Sequence, residues 1–202
     1  MKVLIAGAGI GGLTTALMLH ARGIPVQIYE TAAEVREAGV GINILPHAIR
    51  ELETLGLLPA LDVVGLRTRR LTYYTRSGQE VWSELRGTYA GHEVPQFSIH
   101  RGRLQHLLYK AVLDRLGPKA VQTGRRLGGF VQDDKGITAH FANSIDGSKG
   151  ITVRGDVLIC CDGIHSAGRK VFYPNEKSPS WNGVMMWRGA VDWPAWQDGE
   201  SM

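Results

Sequence analysis

Cysteine is almost absent. The 202-residue chain has two, Cys160 and Cys161, side by side at the end of an apolar run. Neighbouring strand residues point to opposite faces, so a disulfide between them would be strained. That excludes a disulfide-stapled secreted scaffold and leaves two buried free thiols in a reducing, cytoplasmic compartment as the expectation. Aromatic residues are only 7% of the chain, and none interleaves with Arg67, Arg69 and Arg70 or with Arg125 and Arg126 as a base-stacking surface would. Those arginines read as solvated faces. Charge of one sign is also scarce: 23 Lys and Arg face 19 Asp and Glu, a formal net charge of +4. This mild excess suits an anionic cofactor or substrate and does not imply nucleic acid. No uninterrupted apolar run is long enough to span a bilayer. The apolar start behind Lys2 is broken by glycines and lacks a cleavage pattern, so it is not read as a secretory signal. The seven histidines have no metal-ligand spacing, and no metal is expected. With 44% hydrophobic and 21% charged residues, the chain is an ordinary globular composition.

Glycine, in contrast, is plentiful at 26 residues, and its first cluster carries a pattern. Val3, Leu4 and Ile5 form a short apolar run, as expected of a parallel strand covered on both faces. Gly7-Ala-Gly9-Ile-Gly11-Gly12 follows, then Leu13, Ala16, Leu17 and His20 at helical spacing, then Val26 to Glu30 as a second strand. Gly7 permits a tight turn, Gly9 lets a pyrophosphate approach the backbone, and Gly12 lets the helix pack against the sheet. The helix start offers unpaired N–H groups and partial positive charge to phosphates. Glu30 can accept hydrogen bonds from ribose hydroxyls and would repel a 2′-phosphate. The spacing predicts a βαβ unit that holds a dinucleotide.

Beyond Glu30, Gly39 and Gly41 mark an irregular loop in which Arg36 either meets a phosphate or pairs with Glu34 or Glu37. Pro46 to Leu55 reads as a helix, and Leu57 to Leu61 as a turn around Pro59. The texture then turns to β: a hairpin over Thr68 to Trp82 around Ser77-Gly78, and a short strand from Pro95 to Ile99. Arg101 and Arg103 open an amphipathic helix carrying Leu104, Leu107, Leu108, Ala111, Val112 and Leu116. Cations are unfavourable at a helix start, so one of them is read as a phosphate ligand; a solvated pair is the alternative. Strands are predicted at Ala120 to Val131, Gly136 to Asn143 and Ile151 to Val153, a meander in place of a helical crossover. Val157 to Cys161 reads as a buried parallel strand ending in Asp162-Gly163, where ligands bind in open α/β sheets. Asp162 as a loop-capping acid is the competing role, and Ser166 is the expected N-cap of a short helix through Phe172. Trp181 to Trp193 is expected to return to β structure, with apolar exposure through Trp196.

Together, Gly7-x-Gly9-x-x-Gly12 with Glu30, Arg36-x-x-Gly39-x-Gly41, His100-Arg101-x-x-Leu104 and Asp156-Val-Leu-Ile-x-x-Asp162-Gly163-x-x-Ser166 resemble the N-terminal half of a group A flavoprotein monooxygenase of the para-hydroxybenzoate hydroxylase type. Trp82-Ser83, Pro95 to Gly102 and Met186 to Gly189 look closer still to its phenazine-modifying branch. The resemblance implies an α/β fold: a Rossmann-like FAD-binding domain with a β-meander crossover (1–67 and 101–178), and part of a substrate-binding β-sheet (68–100 and 179–202). It implies FAD, with Gly7, Gly9 and Gly12 at the pyrophosphate, Glu30 at the ribose, and Arg36, Gly41 and Arg101 along the phosphates and ribityl chain. Leu127 would meet adenine through its backbone, and Asp162-Gly163 matches a motif linked to both FAD and NAD(P)H. NADH or NADPH would reduce the flavin, and oxygen would form a C4a-hydroperoxyflavin that hydroxylates a small aromatic or heteroaromatic substrate. No side chain is assigned as acid, base or nucleophile. The family usually has a branched apolar residue where Gly168 stands, which costs about 1 kcal/mol of helix propensity if that position is helical. The family's second Gly-Asp motif does not occur before Met202, so the sequence is expected to be a truncated N-terminal half with weakened hold on FAD. Another FAD or NAD oxidoreductase on the same fold, or an inactive nucleotide-binding fragment, is the alternative.

Overall fold

The computed structural model describes residues 1–37 and 39–202; Ala38, in the loop expected after Glu30, lies outside the described residues. In chain order the elements are β1 (Val3–Ala6), α1 (Ile10–His20), β2 (Val26–Tyr29), β3 (Gly41–Ile44), α2 (Pro46–Thr54), α3 (Leu58–Val64), β4 (Gly65–Arg67), β5 (Arg70–Tyr74) and β6 (Glu80–Leu85). A 3-10 turn (Gly87–Ala90), β7 (Phe97–His100), α4 (Arg101–Leu116), β8 (Val121–Gln122), β9 (Arg125–Asp133), β10 (Gly136–Asn143), β11 (Ile151–Gly155), β12 (Val157–Cys160) and α5 (Ala167–Phe172) complete it. They form two compact units: Met1–Arg36 with Gln105–Met185, and Glu37–Leu104 with Met186–Met202.

The first unit is built on a four-stranded parallel sheet in the order β12-β1-β2-β8. β1 is central and fully buried, which explains its unbroken apolar run. On α1, Gly12, Leu13, Ala16 and Leu17 are buried, whereas His20, in phase with them, is exposed in the last turn. The meander β9-β10-β11 is antiparallel, with a register shift between His140 and Phe141. Leu4, Ala6, Tyr29, Leu127, Ile137, Ala139 and Phe141 form one buried cluster joining sheet and meander. The Tyr29 and Phe141 rings stack at 4.2 Å inside it.

The second unit contains an antiparallel sheet, β3-β7-β4, and the hairpin β5-β6. Gly78, at φ +82°, turns the hairpin where Ser77-Gly78 predicted it. Thr68 and Gln96 are buried polar residues, and the Thr68 and Ser98 hydroxyls lie 2.7 Å apart across the β4-β7 pair.

Four expectations differ from the structure. The division at residue 67 keeps 37–67 with the dinucleotide unit; the contacts group them with the second unit, because β3 and β4 take their hydrogen bonds from β7. Leu57 to Leu61 is the N-cap and first turn of a helix, α3, since a proline in a first helical turn loses no intrahelical bond. Ala120 to Val131 is two strands, divided at Gly124 with φ +67°. Trp181 to Trp193 forms no strand: among the described residues nothing pairs with it, and a strand without a ladder partner leaves its backbone groups to water. Its tryptophans are accordingly exposed, Trp187 by 91%. No helix among the described residues is long and apolar enough to cross a membrane.

Candidate functional site

In the first unit β1 and β12 are parallel neighbours, but the chain leaves β1 for β2 on one side and reaches β12 from the meander on the other. That arrangement is a topological switch point, and it opens a crevice beyond the carboxyl ends of the two strands. A cleft of about 350 Å3 lies there, lined by Gly7, Gly9, Glu30, Leu127, Asp162 and Gly163 together with Thr31, Arg126, Cys161, His165 and Ala167.

The glycines have distinct physical reasons. Gly7 sits at φ +102°, and a Cβ on it would lie 2.3 Å from the Cys161 carbonyl oxygen. A Cβ on Gly12 would lie 2.0 Å from the Gly7 oxygen, so only glycine lets α1 start this close to the sheet. Gly9 is the opposite case: a Cβ there would meet nothing within 4 Å. It is the N-cap of α1, with no side-chain cap and no acid in the first turn. The helix therefore presents bare N–H groups and its positive end.

Glu30 spans the glycine loop and the segment after β2. Its Oε2 accepts from the Ala8 N–H at 2.6 Å and its Oε1 from the Ala32 N–H at 2.7 Å. Gln105 donates from Nε2 to the Ala8 carbonyl at 2.9 Å, holding the same loop from α4. Leu127 is buried in β9, opposite Phe141 at the register shift.

Asp162 is committed locally. Its Oδ1 accepts from the Ser166 hydroxyl at 2.5 Å, and its Oδ2 accepts from the Ala167 and Gly168 N–H groups at 2.6 and 3.3 Å. Ser166 Oγ in turn accepts from the Arg169 N–H at 2.9 Å, so α5 begins doubly capped. This is the capping role weighed from sequence, now with named partners. Gly168 also has a specific neighbour: a Cβ there would lie 2.2 Å from Cys160 Sγ. The departure at 168 makes room for the Cys160 side chain. Burial, with the Asp162 charge second, pushes the Cys160 thiol up to about 11 and raises Cys161 in the same direction. Both thiols are free.

The remaining sequence-predicted residues lie elsewhere. Arg36 pairs with Glu34 at 2.9 Å on an exposed surface outside the cleft, the local ion pair weighed from sequence. Gly41 and Arg101 belong to the second unit and lie close together there. Gly41 stands opposite His100 in the β3-β7 register, Arg101 donates its N–H to the Val40 carbonyl at 2.9 Å, and His100 Nε2 lies 2.9 Å from the Gly39 carbonyl oxygen. Sequence reasoning missed three cleft residues or supports. Arg126 was set aside as solvated although it precedes Leu127, His165 sits inside the Asp162 to Ser166 motif, and Gln105 follows the helix-opening arginines. Only adjacency to a motif could have flagged them.

A parallel sheet, a glycine-tight strand-to-helix turn and a cleft at the switch point define a Rossmann-like dinucleotide-binding unit. The chain belongs to the FAD binding domain family, which it matches over residues 1–190. It is 44% identical over 201 residues to the phenazine 1,6-dicarboxylic acid hydroxylase PhzS of Lysobacter antibioticus, covering 99% of this chain and 49% of that protein. It is 34% identical to the aurachin C monooxygenase/isomerase of Stigmatella aurantiaca, over 95% of this chain and 48% of the relative. Among solved structures, Klebsiella pneumoniae HpxO complexed with FAD and uric acid superposes with a TM-score of 0.69 at 30% identity, over 85% of this chain and 41% of that one. The chain spans about half the length of the curated relatives it matches.

Proposed function

We propose that the first unit holds the adenosine-diphosphate half of FAD and that the whole protein is an NAD(P)H-dependent monooxygenase acting on a small aromatic or heteroaromatic molecule. The observation that carries this reading is the bare start of α1 at Gly9, its N-cap, where a side chain would meet open space. The pyrophosphate would lie there, taking hydrogen bonds from the first N–H groups of α1. Glu30 would receive the ribose: each oxygen has one N–H partner and a spare lone pair for a hydroxyl. Backbone at Leu127 would border adenine. Asp162 acts as a positioning residue, anchoring α5 and so the Gly163 turn, rather than as a direct ligand. Arg36, Gly41 and Arg101 would serve the phosphates and ribityl chain, Arg36 after giving up its exposed partner Glu34. FAD, when bound, supplies electron transfer from reduced nicotinamide and the oxygen chemistry that hydroxylates a ring. The names of PhzS and of the FAD-dependent urate hydroxylase of Klebsiella pneumoniae support a nitrogen heteroaromatic substrate class. A cytoplasmic setting is part of the proposal, supported by the two unpaired thiols.

Flavin fluorescence quenching on titration of the purified chain tests the cofactor assignment. Saturable FAD binding that ADP competes away is the expected result. Binding that ADP leaves untouched would overturn the assignment of the α1 cleft.

A further inference from the structure

Asn182-Gly183 is the one asparagine–glycine pair in the sequence. Both residues are exposed, just ahead of the exposed apolar stretch Val184 to Trp187. The Asn182 side chain folds over its own backbone: its Oδ1 accepts from the Val184 N–H, two residues on, at 3.0 Å. That bond draws Cγ over the intervening Gly183 peptide and polarises the Cγ carbonyl. The Val184 carbonyl accepts from Trp181 Nε1 at 3.0 Å, which closes the turn. Gly183 stands at φ +85°, and a Cβ on it would meet nothing within 4 Å. Its N–H donates to no acceptor among the described residues.

Asn143 makes the same turn and is finished differently. Its Oδ1 accepts from the Ile145 N–H at 3.0 Å. The N–H after it, from Ser144, donates to the Gly124 carbonyl at 3.1 Å, and its own Nδ2 donates to Ser148 Oγ at 2.7 Å. Backbone nitrogen and amide nitrogen are therefore both held. Asn175 is held at the first of these, since the Glu176 N–H donates to the Tyr173 carbonyl at 3.1 Å. Asn43 is fixed in the β3-β7 ladder, opposite Ser98.

We infer that Asn182 is a site of spontaneous covalent modification, deamidating in the folded chain through a succinimide. The Gly183 nitrogen gives its proton to solvent base and attacks Asn182 Cγ. The N–Cγ bond forms, the Cγ–Nδ2 bond breaks, and Nδ2 takes a proton from water and leaves as ammonia. Water then opens the ring at either carbonyl, giving aspartate or isoaspartate; nothing is oxidised or reduced. Either product places a carboxylate against the Val184 to Trp187 stretch. Isoaspartate also adds a methylene to the main chain and so changes the spacing of the Trp181 to Val184 turn.

Incubation of the purified chain in mildly alkaline heavy-oxygen water, followed by peptide mapping with mass spectrometry, tests this. Heavy oxygen is expected at residue 182 as mixed aspartate and isoaspartate, with Asn143 and Asn175 unlabelled. In urea, Asn182 should stay within about threefold of its folded rate while Asn143 rises at least about tenfold, the change that about 1.4 kcal/mol of barrier gives. Gly183→Ala should slow reaction at Asn182 by at least about tenfold, because a methyl beside the attacking nitrogen hinders ring closure. Asn182→Gln keeps Gly183 and its backbone, and should leave that position unlabelled because closure would need a larger ring. Labelling of Asn182 only after unfolding would overturn the proposal. So would folded Asn143 reacting as fast as Asn182, or Gly183→Ala reacting at the parent rate.

Discussion

Two helices start beside one another in the first unit, α1 after β1 and α5 after β12, and they are finished in opposite ways. α5 satisfies its own first N–H groups: Ser166 and Asp162 accept from three of them. α1 has a glycine at its N-cap, no side-chain cap and no acid in its first turn. A helix start closed by its own side chains is worth about 1 kcal/mol to the fold, whereas a bare one forgoes that and keeps its positive end for an anion. The contrast separates stability from binding within a single crevice. It also separates two acids. Glu30 keeps spare lone pairs beside the bare helix, while Asp162 is occupied in capping the closed one.

The largest expected effect comes from removing the tight turn that brings α1 to the sheet. Gly12→Ala should cost about 3 kcal/mol, because its Cβ would lie 2.0 Å from the Gly7 oxygen. Urea unfolding followed by circular dichroism measures it, and Gly9→Ala should stay within about 0.5 kcal/mol as its control. Next comes the conversion of α1 into a helix that starts like α5. Gly9→Asp has open space for its side chain and supplies a cap, so stability should hold or rise by a few tenths of a kcal/mol. The same carboxylate would stand where the pyrophosphate is proposed to bind, and FAD affinity should fall by about a hundredfold. Retained FAD binding in a folded Gly9→Asp chain would break the comparison.

The closed helix gives smaller effects. Gly168→Ala should destabilise by about 1–2 kcal/mol, the clash with Cys160 Sγ at 2.2 Å outweighing a helix-propensity gain of about 1 kcal/mol. Adding Cys160→Ala should return part of that loss; a strictly additive double variant would count against the contact. Ser166→Ala should cost about 1 kcal/mol and weaken FAD far less than Gly9→Asp does, because Asp162 still holds the Ala167 and Gly168 N–H groups and with them the Gly163 turn. The smallest effect lies away from both helices. Arg154 hydrogen-bonds Asp133 across the meander and, with the Lys135 N–H, holds its carboxyl at about 2, below the ordinary 3.8. A depressed carboxylate pKa contributes stability above the unfolded value that is lost as pH falls through the folded one. The unfolding midpoint should therefore decline slightly more steeply between about pH 4 and pH 2 in the parent chain than in Asp133→Asn.

The βαβ unit was legible from residues alone because every interaction that defines it is local. Gly7, Gly9 and Gly12 act within one turn, and β1, α1 and β2 follow directly along the chain. The meander and the hairpin at Gly78 were legible for the same reason: each strand pairs with its sequence neighbour. The α1 cleft could be located because strand ends at a switch point are named by the same glycines.

The sequence by itself determined that a dinucleotide-binding turn exists, since its glycines are demanded by backbone sterics at fixed spacing. Tertiary structure decided the rest. β3 and β4 joined the second unit because β7, far along the chain, supplies their hydrogen bonds. Trp181 to Trp193 formed no strand because a β ladder needs a partner that no local pattern provides. Asp162 became a cap, and Gly168 a necessity, only once α5 folded back onto the end of β12. Periodicity states what a segment is able to form; which long-range contact satisfies its backbone and fills its space is settled by the fold.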